Sequence, residues 1–250
     1  MPIRPPGRIE TFNGQQLYFE VHGTGEPLLL LHGFSGSSQD WIPSLDQWPT
    51  KLQFILPDLR GHGHSGILSK PFRHADAAAD SLALLDHLGI RTCKGVGISA
   101  GGNVLLHMAT KQPDRITSIV LVSATPYFPA QARTIMSQYA DNLPEEQREI
   151  LRRRHPGGNE QIKAILANTK SFATSYDDLN FTPPLLSTIK ARTLIIQGDR
   201  DPLYPVELSV EMFKAIPNSR LWIVPNVGHG PVIGARWPEF IQTASAFLQE

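Results

Sequence analysis

Six short apolar runs recur along this chain, bounded by glycine or proline: Pro27–Leu31, Phe54–Leu56, Gly95–Ile98, Ile119–Val122, Thr193–Ile196 and Leu221–Val224. Runs this short are strand-length, and unbroken apolarity rather than alternation implies burial on both faces. Helical patterns separate the later runs. Ala78, Leu82, Leu85 and Leu88 share one helical face, with Gly89 as a stop. Val104, Leu105, Met108 and Ala109 form a second stripe, and Val210 and Phe213 a third that ends before Pro217. Phe240, Ile241, Ala244, Phe247 and Leu248 form the last. Ahead of all these, Ile9–Phe12 and Gln16–Val21 flank Asn13-Gly14, a strong hairpin signal. This order predicts an α/β fold, a mostly parallel central sheet with helices on both faces.

The rhythm fails once. From Pro126 to Lys190 no strand pattern is present. Short polar helices are expected there instead, over Gln131–Asn142, Glu145–Arg154 and Glu160–Phe172, punctuated by Pro144, Pro156-Gly157-Gly158 and Pro183-Pro184. The expectation is one core, residues 1–125 with 191–250, carrying a helical cap insertion at 126–190. No internal repeat or low-complexity tract interrupts it.

Composition removes other classes. The 250 residues carry 23 Lys+Arg against 23 Asp+Glu, so the basic excess expected for a nucleic-acid partner is missing. The single cysteine, Cys93, rules out a disulfide scaffold and reads as a buried packing residue. No run approaches the ~18 apolar residues of a membrane span. Met1–Pro6 lacks the apolar region of a signal peptide, so a cytoplasmic location is the expectation. Nothing in the sequence speaks to oligomeric state.

The segment richest in chemistry is Gly97-Ile98-Ser99-Ala100-Gly101-Gly102, after a strand and opening a helix. A serine between glycines two residues either side suits a sharp strand-to-helix turn that lifts a hydroxyl above the sheet's carboxyl edge. The Ala100 N–H at the helix start can donate to a developing oxyanion. A serine nucleophile needs a base. Of nine histidines, His229 is best placed, between Gly228 and Gly230 after the last strand. The base needs a carboxylate, and either aspartate of Gly198-Asp199-Arg200-Asp201 could serve. Asp58, Arg60, His62 and His64 invite a metal reading, but two histidines one residue apart on a loop with no thiol are weak ligands, and no metal is expected. Arg152-Arg153-Arg154-His155 reads as a solvated cap face.

Taken together, the hairpin, His32-Gly33-Phe34, the loop from Pro57 to Ser65, the glycine-flanked serine, Gly198-Asp199-Arg200-Asp201 and Gly228-His229 resemble the α/β-hydrolase fold family, in its capped, esterase-like branch. The resemblance covers nearly the whole chain. It implies a Ser99, His229, Asp201 triad, with Asp201 preferred to Asp199, and Ser123-Ala124-Thr125 offers no competing acid. It implies a second oxyanion donor at Phe34, whose side chain should face the pocket. Gly33 should permit a tight turn, His32 should organise the loop, and the Asp58–His64 stretch should be structural. Trp41 reads as core. Carboxylic ester hydrolysis without cofactor, on a small ester or lactone, is the implied activity. Enol-lactonase, carbon–carbon bond hydrolase and cofactor-free perhydrolase share the triad, and a non-catalytic small-ligand receptor is the competing class. The expected apolar pocket draws on Tyr127, Phe128, Met136, Tyr139, Phe172, Tyr176 and Phe181.

Overall fold

The computed structural model describes residues 7–49 and 51–250; Met1–Pro6, read above for a leader, lie outside the described residues. Asn13 (φ 50°) and Gly14 (φ 77°) both take the left-handed conformation that a two-residue hairpin needs. They join β1 (Arg8–Phe12) to β2 (Gln15–His22). Then follow β3 (Glu26–Leu31), β4 (Leu52–Pro57), α1 (His74–His87), β5 (Cys93–Ile98), α2 (Ala100–Lys111) and β6 (Ile116–Val122). Four helices intervene: α3 (Ala130–Gln138), α4 (Glu145–Arg154), α5 (Gly158–Ser171) and the short α6 (Pro183–Leu186). The chain closes with β7 (Arg192–Gly198), α7 (Val206–Ala215), β8 (Ser219–Val224) and α8 (Trp237–Gln249).

The strands form one sheet in the order β1-β2-β4-β3-β5-β6-β7-β8. Only β2 runs antiparallel to its neighbours; from β4 to β8 the pairs are parallel. The direction of winding reverses at β3, and in open α/β sheets the crevice beyond such a reversal is where ligands bind. Successive residues of the unbroken apolar runs go to opposite faces. Leu29, Leu31, Ile55, Ile119 and Leu121 pack under α1 and α2. Leu28, Leu30, Leu56, Val120 and Val122 pack under α8, together with Trp41 and Trp48. Cys93 is buried, which pushes its thiol up to about 12 and leaves it unreactive at neutral pH. No helix among the described residues is long and apolar enough to cross a membrane.

The helices between β6 and β7 have only a small apolar cluster of their own, Leu143, Leu151, Ile162 and Leu166. Phe128, Met136, Phe172 and Phe181 join the main core instead. Buried polar staples add to this docking. His155 Nδ1 accepts the Gly63 N–H at 2.9 Å. Gln161 Nε2 donates to the carbonyls of Gly61 and Gly63, at 3.1 and 2.9 Å. Asn168 Oδ1 accepts the Phe72 N–H at 2.7 Å, and Asp178 accepts the His74 N–H that opens α1, at 2.8 Å.

These contacts correct one expectation. The Arg152–His155 run is not a wholly solvated face. Arg152 stays at the surface with Glu145 and Glu149, but Arg154 reaches Asp40 at 2.6 Å and His155 is fully buried. The reason is local: α4 ends at Arg154, and His155 leaves the helix with φ −121° and ψ 89°, turning inward.

Candidate active site

Ser99 sits between β5 and α2 with φ 52° and ψ −114°, a conformation that side chains rarely adopt. Two contacts hold it there: the Ser99 N–H donates to Val122 O at 2.7 Å, and the Asn103 N–H to Ser99 O at 3.0 Å. The flanking glycines are required by space. A Cβ on Gly97 would lie 2.4 Å from the Gly101 carbonyl carbon, and one on Gly101 would lie 2.3 Å from Leu31 O. Gly33 differs from expectation. Its φ is ordinary, and the left-handed residue of the turn it opens is Ser35, with φ 67°, closed by Gly36 N–H to Gly33 O at 2.9 Å. Neither the Phe34 nor the Ala100 N–H meets an acceptor among the described residues.

The loop after β8 brings His229 over the sheet edge, with Gly230 at φ 80°. The Gly230 N–H is held by the Ser123 hydroxyl at 3.3 Å. His229 Nε2 lies 2.9 Å from Ser99 Oγ, and Nδ1 lies 2.7 Å from Asp201 Oδ2. Asp201 is nearly buried. Its Oδ1 accepts the N–H groups of Leu203 (2.8 Å) and Tyr204 (3.1 Å), and its Oδ2 also accepts Gln197 Nε2 at 2.8 Å. Burial alone would raise the Asp201 carboxyl, but the contact with His229 and the two N–H groups outweigh it and hold the group below its usual range. Asp199 takes no part; its nearest charged partner is Arg200, 4.0 Å away.

His32, Gly33 and Phe34 form the neighbouring wall. Leu59 N–H must donate to His32 Nε2 (2.9 Å), so His32 Nδ1 carries the proton and gives it to Gly33 O (2.8 Å). The same logic fixes His155: Nδ1 accepts from Gly63, so Nε2–H donates to Ser35 O at 3.2 Å. His62 lies between them, with ring centroids 5.4 Å from His32 and 5.9 Å from His155. Burial, first of all, pushes all three down, His155 to about 4. An unfolded histidine near 6.5 therefore takes up its proton before the folded one. Stability is complete above pH 6.5 and is lost as the pH falls toward 4. His155 alone accounts for about 2–3 kcal/mol of that loss, or a drop of roughly 5–10 °C in Tm. Thermal melts between pH 7 and 4.5 measure it; His155→Gln should shallow the slope, and a flat wild-type profile would contradict the arrangement.

Ser99 and His229 lie at the meeting of two cavities. The inner one, of about 300 Å³, runs beneath the helices that follow β6, lined by Phe34, Phe128, Met136, Tyr139, Phe172 and Leu203. The outer one, of about 550 Å³, opens past Gly36, Gln39, Trp41, Arg154 and Ile233. Four of the seven expected pocket residues therefore line the inner cavity, and three do not. Tyr127 is partly exposed, with its hydroxyl on Glu211 at 3.3 Å. Tyr176 is exposed and receives the Arg133 guanidinium on its ring, 3.8 Å from the centroid. Phe181 is buried elsewhere, against His107. The composition of the segment named its apolar side chains but not their direction. The sequence reading also passed over Asn103, His74, Thr169 and Tyr204, polar residues of the same wall. Asn103 alone was accessible, since four residues after Ser99 places it one helical turn along the same face. Among the described residues no cluster of His, Cys, Asp and Glu could hold a metal ion.

Residues 26–161 match the family described as alpha/beta hydrolase fold, and residues 179–250 match a TAP-like protein family. The chain belongs to the α/β-hydrolase family. Its relatives in the family include a non-heme haloperoxidase of Rhodococcus erythropolis, 27% identical over 89% of this chain and 92% of that protein. A pimeloyl-[acyl-carrier protein] methyl ester esterase of Nitrosomonas europaea is 25% identical over 87% of this chain and 94% of that protein. Among solved structures, an α/β hydrolase enzyme from a Medee basin deep-sea metagenome library superposes with a TM-score of 0.84 at 21% identity, over 97% and 98% of the two chains.

Proposed function

We propose that this protein is a serine hydrolase that cleaves carboxylic esters with small to medium acyl groups. The reading rests on one observation: the hydrogen-bonded chain Asp201–His229–Ser99 ends where two cavities meet, beside two backbone N–H groups that meet no acceptor among the described residues. His229 removes the Ser99 proton as Oγ attacks the ester carbonyl carbon. The carbonyl oxygen becomes an oxyanion, and the Phe34 and Ala100 N–H groups receive it. The tetrahedral centre collapses, the C–O bond to the alcohol breaks, and His229 returns the proton to the departing alkoxide. Water then attacks the acyl-enzyme by the same route. The acyl group is assigned to the smaller inner cavity, whose lining is chiefly apolar, and the alcohol to the larger outer one, which Gln39, Asp40 and Arg154 also line.

A panel of p-nitrophenyl esters from acetate to octanoate tests the reading, with fluorophosphonate labelling of Ser99 as an independent readout. Labelling without turnover of any ester or lactone would favour the ligand receptor. A second reaction on the same residues, acyl transfer to hydrogen peroxide, is favoured only by the haloperoxidase relative, and peracid formation from acetate and peroxide would reveal it.

The inner wall sets chain length. Met136→Ala should make room for about two further methylenes. At about 0.8 kcal/mol each, the octanoate-to-butyrate ratio of kcat/KM should rise roughly 10-fold. An unchanged ratio in a folded variant would remove Met136 from the acyl wall.

A further inference from the structure

The inner cavity is not uniformly apolar. Asn103 is fully buried on α2, and its Oδ1 accepts the Thr125 N–H at 2.9 Å. Since that amide hydrogen can only donate, the other end of Asn103 is the NH2 group, and it is buried without an acceptor among the described residues. Tyr204 is buried too. Its hydroxyl is pushed up by burial and by the charge of Asp201, and side-chain contacts from the Asn103 NH2 and from Ser99 offset part of that rise, although the NH2 does not reach the hydroxyl in full hydrogen-bond geometry. His74, which lines the same cavity, is buried among Phe72, Phe128 and Phe172, with Nδ1 2.8 Å from Asp178 Oδ2. Burial would raise Asp178, but its bonds to the His74 ring and to the His74 and Ala75 N–H groups prevail and hold it at about 2. Asp178 is therefore ionised and acceptor-only, so His74 Nδ1 donates. The His74 hydrogen bonds found among the described residues use its backbone N–H and Nδ1, and none uses the second ring nitrogen, Nε2. His74, Asn103 and Tyr204 all line the cavity that receives the acyl group in the mechanism above.

A hydrocarbon chain filling this cavity would cut these groups off from water without replacing their hydrogen bonds. Sites built with buried polar groups discriminate strongly against analogues that leave them unpaired. We propose that Asn103 and the Asp178-oriented His74 form a polar subsite for a hydroxyl group on the acyl chain, so that the preferred substrates are esters of hydroxy acids rather than of plain fatty acids. The substrate oxygen accepts from the Asn103 NH2, or its hydrogen is donated to His74 Nε2, according to where the hydroxyl falls along the chain. This inference rests on the hydrolase reading.

The test compares methyl 3-, 4- and 5-hydroxyacyl esters with isosteres in which a methyl replaces the hydroxyl: methyl 3-hydroxybutanoate with 3-methylbutanoate, 4-hydroxypentanoate with 4-methylpentanoate, and 5-hydroxyhexanoate with 5-methylhexanoate. At one position at least, kcat/KM for the hydroxy ester should exceed that of its isostere by about 10-fold or more in the wild-type protein. His74→Phe, which keeps the ring packing, and Asn103→Leu should reduce that preference to within about 3-fold. Wild-type hydrolysis that is equal or better on the isostere at all three positions would overturn the subsite and leave the hydrolase intact. Failure of every ester, with no fluorophosphonate label on Ser99, would overturn both.

Discussion

Exchange of Ser99 for alanine is expected to lower kcat/KM for an ester by about 10⁴–10⁶-fold. The nucleophilic oxygen is lost, while the two N–H groups and both cavities remain to bind substrate. The variant should fold, because the hydroxyl's neighbours among the described residues are His229, which it meets at 2.9 Å, and the Tyr204 hydroxyl, and neither anchors the core. Glycine at the same position separates strain from chemistry. Alanine keeps a Cβ at φ 52°, whereas glycine adopts such angles freely. Ser99→Gly should therefore be as inactive as Ser99→Ala yet more stable by about 1 kcal/mol, roughly 2–4 °C in Tm. Ester turnover near the wild-type level in either variant would end the serine assignment, and a lower Tm for the glycine variant would end the argument from strain.

Asp201→Asn should lower kcat by about 10⁴-fold, and hydrogen bonding dictates why. The N–H groups of Leu203 and Tyr204 demand an acceptor at the Oδ1 position. The amide oxygen must take that place, which turns the NH2 group toward His229 Nδ1 and Gln197 Nε2. Nδ1 then has to accept, so the ring proton moves to Nε2, and the base facing Ser99 is gone. The new NH2 also confronts the donor of Gln197, which was bonded to Oδ2 at 2.8 Å. That conflict should cost about 1–3 kcal/mol of stability. Asp199→Asn, outside the network, should retain wild-type activity. Kinetics of the two variants side by side would decide between the aspartates; a large loss at position 199 and none at 201 would reverse the assignment.

The two aspartates illustrate what the sequence could and could not carry. Strand-length apolar runs, the Asn13-Gly14 turn and the glycines around Ser99 act through local geometry, so they were readable in order along the chain. Glu145–Arg154 was readable as a helix for the same reason. Choosing Asp201 over Asp199 from residues alone was not possible, because the choice depends on where a turn after β7 points each carboxylate. Directions within the 126–190 segment were equally hidden. Tyr176 and Phe172 look alike in a list of aromatics, yet one shields an arginine at the surface and the other lines the cavity that Ser99 borders. His155 ended a basic run and proved to be a neutral, buried acceptor, because a helix terminus changes direction in a way that composition does not record.

The polar staples beneath the helices that follow β6 bear on how such a protein can be altered. Gly61 O, both backbone groups of Gly63, Phe72 N–H and the His74 N–H are satisfied by side chains from the 126–190 segment. A foreign segment grafted over the same core would bury those five groups without partners. At about 1–3 kcal/mol each, the graft would forfeit stability comparable to that of a whole domain. Cover and core are thus a single inheritance: new substrate ranges are reachable by changing individual wall residues, and a borrowed cover would succeed only if the 58–74 stretch were borrowed with it.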